Sequence, residues 1–228
     1  MSLKLYYWEF KGRAVDIRTL LSYLKVNYQE IILKGEEWGG LQKSLSDSGF
    51  NFPNLPMIDD GGFKLSESKA VLAYLAESKG NYTLLGKTPQ DRAIVRQIEG
   101  VDNEIRELIL KNIFSPDYKA NIQELARNEK LLRAVKRLEQ HFSDGRRFAV
   151  GYLTIADIVI ANAYKLLNHV FKSAGLKNPT ENKILYDHAI RMDNLPGVRE
   201  YYTSDEYKNR IFFPMPWFKE HPLTAPAN

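Results

Sequence analysis

The 228-residue chain contains no cysteine. That single absence removes disulfides, thiolate metal sites, cysteine nucleophiles and the Cys-x-x-Cys redox pair, so any sulfur chemistry must be brought by a ligand. Histidine is sparse: His141, His169, His188 and His221 lie far apart and form no metal-ligand spacing. There is no glycine-rich phosphate loop, no internal repeat and no low-complexity tract. No window approaches the roughly 18 consecutive apolar residues of a membrane span, and Met1-Ser2-Leu3-Lys4 lacks the apolar core of a secretory signal. A cytosolic location without membrane partners is the expectation. Charge of one sign is also lacking, because the net +4 comes from Lys and Arg spread among Glu and Asp. That is a solvated surface rather than a nucleic-acid footprint.

What is present is an ordinary globular balance of 44% hydrophobic and 26% charged residues, enough for one or two domains. Leu3 to Trp8 is aromatic and strand-like, and Ala14, Ile17, Leu20, Leu21 and Leu24 recur at helical spacing between Arg13 and Lys25. Tyr28 to Leu33 returns to strand. Glu36 to Ser48 is poorly patterned and is read as a variable segment.

The densest information lies between Phe52 and Ala70. Pro56 has no N–H to give a sheet and starts an apolar strand, so Leu55 before it keeps its own N–H and C=O for a ligand backbone. The strand Pro56 to Asp59 is expected to turn through Asp60-Gly61 and return along Phe63 to Leu65. Ser66, Glu67 and Ser68 then open a helix with Ala70, Val71, Tyr74 and Leu75 on its apolar face. Free N–H groups at that start favour a carboxylate at Ser68, and Glu67 suits an ammonium group beside it, so the pair reads one α-amino-acid end. Each residue also has a plainer role: Ser66 as N-cap, Glu67 as a first-turn acid, Pro56 as a strand starter. Their order in one unit, strand, hairpin and helix start, favours the peptide-binding reading.

After a polar connection from Gly80 to Thr88, Pro89 fits the first position of a helix, and everything beyond reads helical. Amphipathic stretches run through Ile94 to Phe114 and Ile122 to Phe142, separated by Ser115-Pro116-Asp117. Thr154 and Asp157 form a capping box, with Leu153 and Ile158 as its hydrophobic staple, ahead of an almost uniformly apolar helix. The order is therefore an α/β thioredoxin-like domain (βαβ-ββα) over residues 1–82 and an all-α domain over 89–228.

Tyr7-Trp8-Glu9-Phe10-Lys11-Gly12, Phe52-Pro53-Asn54-Leu55-Pro56, the Thr154 to Asp157 cap and the ending Phe213-Pro214-Met215-Pro216-Trp217 together resemble the cytosolic glutathione transferases, most closely the mu class. The resemblance runs along the whole chain. It implies that Tyr7 is catalytic, donating a hydrogen bond to the glutathione sulfur, whereas alternation alone places Tyr6 and Tyr7 on opposite faces without choosing between them. It implies that the glutathione backbone lies on Leu55 in the loop that includes Asn54, that Pro56 is cis, and that the γ-glutamyl carboxylate rests on Ser68 beside Glu67. Glutamate at 67 departs from the mu pattern, which has glutamine. Trp8, Trp38 and Lys43 resemble the residues that hold the glycine end, and Asp102 an acid reaching across a dimer.

Arg13 is similar to the alpha and sigma pattern, where an arginine adds a positive field near the sulfur. Ile113, Phe114, Tyr118, Trp217 and Phe218 are candidates for the pocket of a hydrophobic electrophile. Phe52 resembles the aromatic that anchors a homodimer. No cofactor or metal is implied, glutathione being a co-substrate, and the function implied is conjugation of its thiolate to apolar electrophiles in detoxification. Two alternatives stay open: a glutathione-dependent isomerase, and a ligand-binding member of the fold without turnover.

Overall fold

The computed structural model describes residues 2–216, 218, 223 and 225–226. The N-terminal part builds β1 (Leu3–Tyr7), α1 (Val15–Tyr23), β2 (Tyr28–Ile32), α2 (Gly35–Asp47), β3 (Met57–Asp60), β4 (Phe63–Leu65) and α3 (Ser68–Ser78). Strand order is β2-β1-β3-β4, with β1 parallel to β2 and antiparallel to β3. Alternation along β1 buries Leu3, Leu5 and Tyr7 on one face, and Val15, Ile17, Leu20 and Leu21 of α1 are likewise buried. Tyr7 is the last residue of the strand, which places its side chain at the C-terminal edge of the sheet.

Local differences from the sequence expectation have simple causes. The variable segment is helix α2, in which only Leu45 is buried. Three glycines and a nearly all-exposed surface erase its periodicity, while Glu37 reaches back to the Lys34 N–H at 2.7 Å to hold its start. The hairpin turns one residue later than expected: Asp60 pairs with Phe63, leaving Gly61 and Gly62 as the two central residues, at φ 66° and 102°. Two glycines satisfy the positive φ that such a turn demands better than Asp-Gly does. On α3 the buried stripe is Val71, Leu72, Leu75 and Ala76, while Ala70 faces outward.

The helical part comprises α4 (Pro89–Ile113), α5 (Tyr118–Leu125), α6 (Glu129–His141), α7 (Ile155–Ser173), α8 (Lys183–Asp193), α9 (Val198–Thr203) and α10 (Asp205–Asn209). The connection before it is less polar than expected, because Leu84 and Leu85 in a 3-10 turn are buried. Thr88 caps α4 and Pro89 occupies its first position. The second amphipathic stretch is broken in two, since the Asn128 side chain accepts from the Leu131 N–H at 3.1 Å and starts a fresh helix, α6. Every residue of α7 from Ile155 to Phe171 is buried. Its first turn is held by Asp157, which accepts from the N–H of Ala149 (2.7 Å) and Thr154 (2.8 Å) and from the Thr154 hydroxyl (3.0 Å). Helix α7 packs against α1, α4 and α8, so the two parts share one core. Among the described residues no helix is long and apolar enough to cross a membrane.

Candidate active site

Beyond Tyr7 the chain turns through residues 8–11 into a 3-10 turn, Gly12–Ala14. The Tyr7 side chain is 4% exposed, and its hydroxyl oxygen accepts a hydrogen bond from the Arg13 backbone N–H at 2.9 Å. Accepting there occupies a lone pair and leaves the phenolic proton available to donate. Burial pushes the phenol above its ordinary value of 10.0, against the lowering pull of that N–H and of the Arg18, Arg13 and Arg106 guanidinium groups. The group is therefore a neutral donor at physiological pH.

Gly12 makes this turn possible. Its φ is +41°, and a Cβ there would stand 2.4 Å from the Tyr7 hydroxyl and 2.7 Å from the Phe10 ring. Arg18 fixes the same loop from beneath, donating to the carbonyls of Phe10 (2.9 Å), Lys11 (3.3 Å) and Trp8 (3.2 Å) and to Glu30 (2.7 Å). The guanidinium carbon lies 5.5 Å from the Tyr7 ring centroid. Sequence reasoning passed over Arg18, although a charge at 18 in phase with buried Val15 and Leu21 was a visible signal.

The Leu55–Pro56 bond is cis. Leu55 does not keep its N–H free, as the sequence had suggested: the adjacent Asn54 carboxamide oxygen accepts it at 2.9 Å, a local closure typical of Asn at an exposed turn. The same carboxamide donates to Glu67 at 2.9 Å. Ser66 does not cap α3; it is buried and its hydroxyl donates to the Phe52 carbonyl. Glu67, exposed and at φ +66°, is the residue immediately before α3, and Ser68 is the first of that helix. A non-glycine residue in that region is uncommon and concentrates at functional positions.

Trp8 and Trp38 meet edge to face with centroids 6.5 Å apart. Lys43 does not join them. Five residues further along α2 it lies about 140° around the helix from Trp38, and it pairs at 2.6 Å with Asp47. Asp102 also departs from expectation, because its carboxylate is fully buried and turned inward. It accepts from Arg106 at 2.8 and 3.0 Å and from Lys69 within its own chain. Arg106 continues to Asp16 at 3.0 Å, which also accepts from Asn162 at 2.9 Å, joining α1, α3, α4 and α7 in one buried network. Burial penalises the Asp102 charge, but Arg106 and Lys69 outweigh it and hold the carboxyl below its usual range.

A row of packed aromatic rings leads from Tyr7 to the exposed Phe114. Phe10 lies 5.5 Å from the Tyr7 ring, Phe213 lies 6.2 Å from Phe10, and Phe114 lies 5.9 Å from Phe213. Backbone bonds from the N–H of Lys11 to Ile211 (2.8 Å) and of Gly12 to Phe212 (3.0 Å) strap the C-terminal segment in place. Glu107 of α4 pairs with the Arg13 side chain at 2.5 Å, and the Arg13 backbone leads back to Tyr7. Phe114, 54% exposed, is thus the open end of that row, whereas Ile113 is core and Phe218 is buried behind Phe213. Tyr118 is half-buried at the start of α5, and Trp217 lies outside the described residues. Phe10, Phe213 and Glu107 were not among the site residues read from sequence. Among the described residues no group of three or more His, Asp or Glu side chains is arranged to hold a metal ion.

The family described as glutathione S-transferase, N-terminal domain, matches residues 1–77, and its C-terminal domain counterpart matches residues 103–205. Glutathione S-transferase Mu 1 of Oryctolagus cuniculus is 30% identical over 91% of this chain and 93% of its own length. The class-mu 26 kDa isozyme of Schistosoma mansoni is 26% identical over 91% of both. Among solved structures, the glutathione S-transferase Blo t 8 superposes with a TM-score of 0.79 at 27% identity, covering 96% of this chain and all of that one.

Proposed function

The chain belongs to the glutathione S-transferase family and is a transferase acting on glutathione, and from that premise we propose that Tyr7 holds the glutathione sulfur as a thiolate at the head of the aromatic row. The observation that carries this reading is the Tyr7 hydroxyl, buried, protonated, accepting from Arg13 N–H and left with its own proton to donate. A free thiol has a pKa of about 8.5, so lowering it by roughly 2 units takes about 2.7 kcal/mol of preference for the anion. A hydrogen bond to a charged acceptor contributes about 1.5–3 kcal/mol, which makes one neutral phenol nearly sufficient. The cysteine-free chain holds no thiol of its own to compete.

Glutathione then lies along Leu55, whose N–H is handed over by Asn54, with its α-amino-acid end at Glu67 and Ser68 and its glycine end near Trp8 and Trp38. The acceptor is an apolar electrophile against Phe10, Phe114 and Phe213. With a chloronitroarene, the thiolate sulfur forms a bond to the ring carbon, the carbon–chlorine bond breaks, and chloride leaves with the electron pair. The thiol proton goes to solvent, and Tyr7 keeps its own. Binding both partners in one site removes much of the entropy cost of their meeting.

We read the protein as a cytosolic detoxifying enzyme close to the mu class, the class being the part that the relatives' names support, with Glu67 and Arg13 as departures from it. The working unit is a symmetric homodimer. Phe52 is 72% exposed, and a groove of about 410 Å³ between α4 and α6 offers Ile98, Val101 and Leu138 to the Phe52 ring of a second copy. In an assay with 1-chloro-2,4-dinitrobenzene the parent protein turns over, and Tyr7→Phe at pH 6.5 loses on the order of 50-fold in rate, the fall in thiolate that a 2-unit shift produces. Glutathione binding without turnover in the parent would instead mark a carrier.

A further inference from the structure

Arg13 and Glu107 form an exposed ion pair that the conjugation chemistry does not use. Arg13 lies in the turn before α1 and Glu107 on α4, so their contact bridges the two parts of the fold, with side chains 30% and 59% exposed. The Arg13 backbone N–H is already on the Tyr7 hydroxyl, and Glu107 stands two helical turns before the exposed aromatic Phe114 on the same face of α4.

We propose that Glu107 is a specificity-determining residue that disfavours acceptors bearing a carboxylate by occupying the Arg13 guanidinium. An arginine fork can take a carboxylate through two parallel N–H bonds, yet Glu107 engages Arg13 through one oxygen on one nitrogen. The guanidinium keeps unused donors, but Glu107 already neutralises its charge, so Arg13 offers an entering carboxylate little attraction unless that pair is broken. An entering carboxylate must displace that partner or stand next to it, and either course costs what a neutral arene does not encounter. The positive field near the sulfur is thus reserved for charge that develops during the reaction rather than for charge that arrives with the substrate.

This inference rests on the conjugation reading, and the two fail differently. The test compares kcat/KM for 4-chloro-3,5-dinitrobenzoate and 1-chloro-2,4-dinitrobenzene, two arenes that lose chloride to the same thiolate and differ in the carboxylate. The ratio of acidic to neutral acceptor rises about fivefold in Glu107→Gln, near the upper end of what one exposed ion pair supplies. It stays near the parent value in Glu107→Asp, which keeps the charge. In an Arg13→Leu background the Glu107→Gln gain disappears, because the effect is exerted through Arg13. An unmoved ratio in Glu107→Gln, or an equal gain without Arg13, overturns the proposal while conjugation stands. Turnover of neither arene by the parent removes the conjugation reading and this inference with it.

Discussion

Gly12 carries more of the mechanism than its lack of a side chain suggests. At φ +41°, with Tyr7 Oη and the Phe10 ring where a Cβ would go, alanine at this position must push the phenol aside. A displacement near 1 Å costs about 100-fold in a positioned reaction, so Gly12→Ala should lose roughly that factor in kcat while the chain still folds. Steady-state kinetics beside a thermal melt will separate the two effects; retention of full activity would show that the turn does not locate Tyr7. Residue-scale function was only half legible in the sequence. Tyr7 shares its parity with Leu3 and Leu5, so it looked like packing, and it is indeed 4% exposed. What distinguishes it is a bond from an N–H six residues away through a left-handed glycine, which no spacing reveals. Glu107 and Arg13 are 94 positions apart, and their pairing exists only once the two parts have docked.

At the scale of elements, local chemistry read well and weak periodicity did not. Thr88-Pro89 and Thr154 to Asp157 start helices because their side chains satisfy N–H groups within four residues, a short-range event independent of the rest of the fold. Helix α2 was illegible because it buries one leucine, and the break at Asn128 because it shows only as a jump of the buried phase, from Ile122 and Leu125 to Leu131, Ala134, Val135 and Leu138, within one long amphipathic stretch. Asp157 is the cap with most at stake: it is wholly buried and satisfies two backbone N–H groups and the Thr154 hydroxyl. Asp157→Ala should destabilise the protein by about 3 kcal/mol, a lost cap plus buried donors left unpaired. A urea unfolding series measures it, and a change below about 1 kcal/mol would mean that water or a rearranged turn replaces the carboxylate.

In the molecule as a whole, one buried charge network crosses the junction on which the site depends. Asp16, Lys69, Asp102 and Arg106 bind α1, α3 and α4 into a fixed relation, and Asn162 adds α7, so the Tyr7 turn and the Phe114 end of α4 face each other at constant spacing. The same network is what buries Asp102 within its own chain, a setting that an acid on a helix does not announce in sequence. Phe52, 72% exposed, is the anchor that the proposed homodimer would use. Phe52→Ala should raise the dimer dissociation constant about 30-fold, as a hot-spot aromatic worth roughly 2 kcal/mol would. Sedimentation at low concentration decides this, and an unchanged profile would assign Phe52 another role. The central claim, that a buried phenol keeps a borrowed thiol ionised, is tested most directly by titrating bound glutathione through the ultraviolet absorbance of its thiolate, in the parent and in Tyr7→Phe. Since the phenol itself titrates above 10.0, the parent should show a single ionisation roughly 2 units below the free thiol value near 8.5, and the variant one close to that free value. Equal ionisation in both proteins would contradict the account.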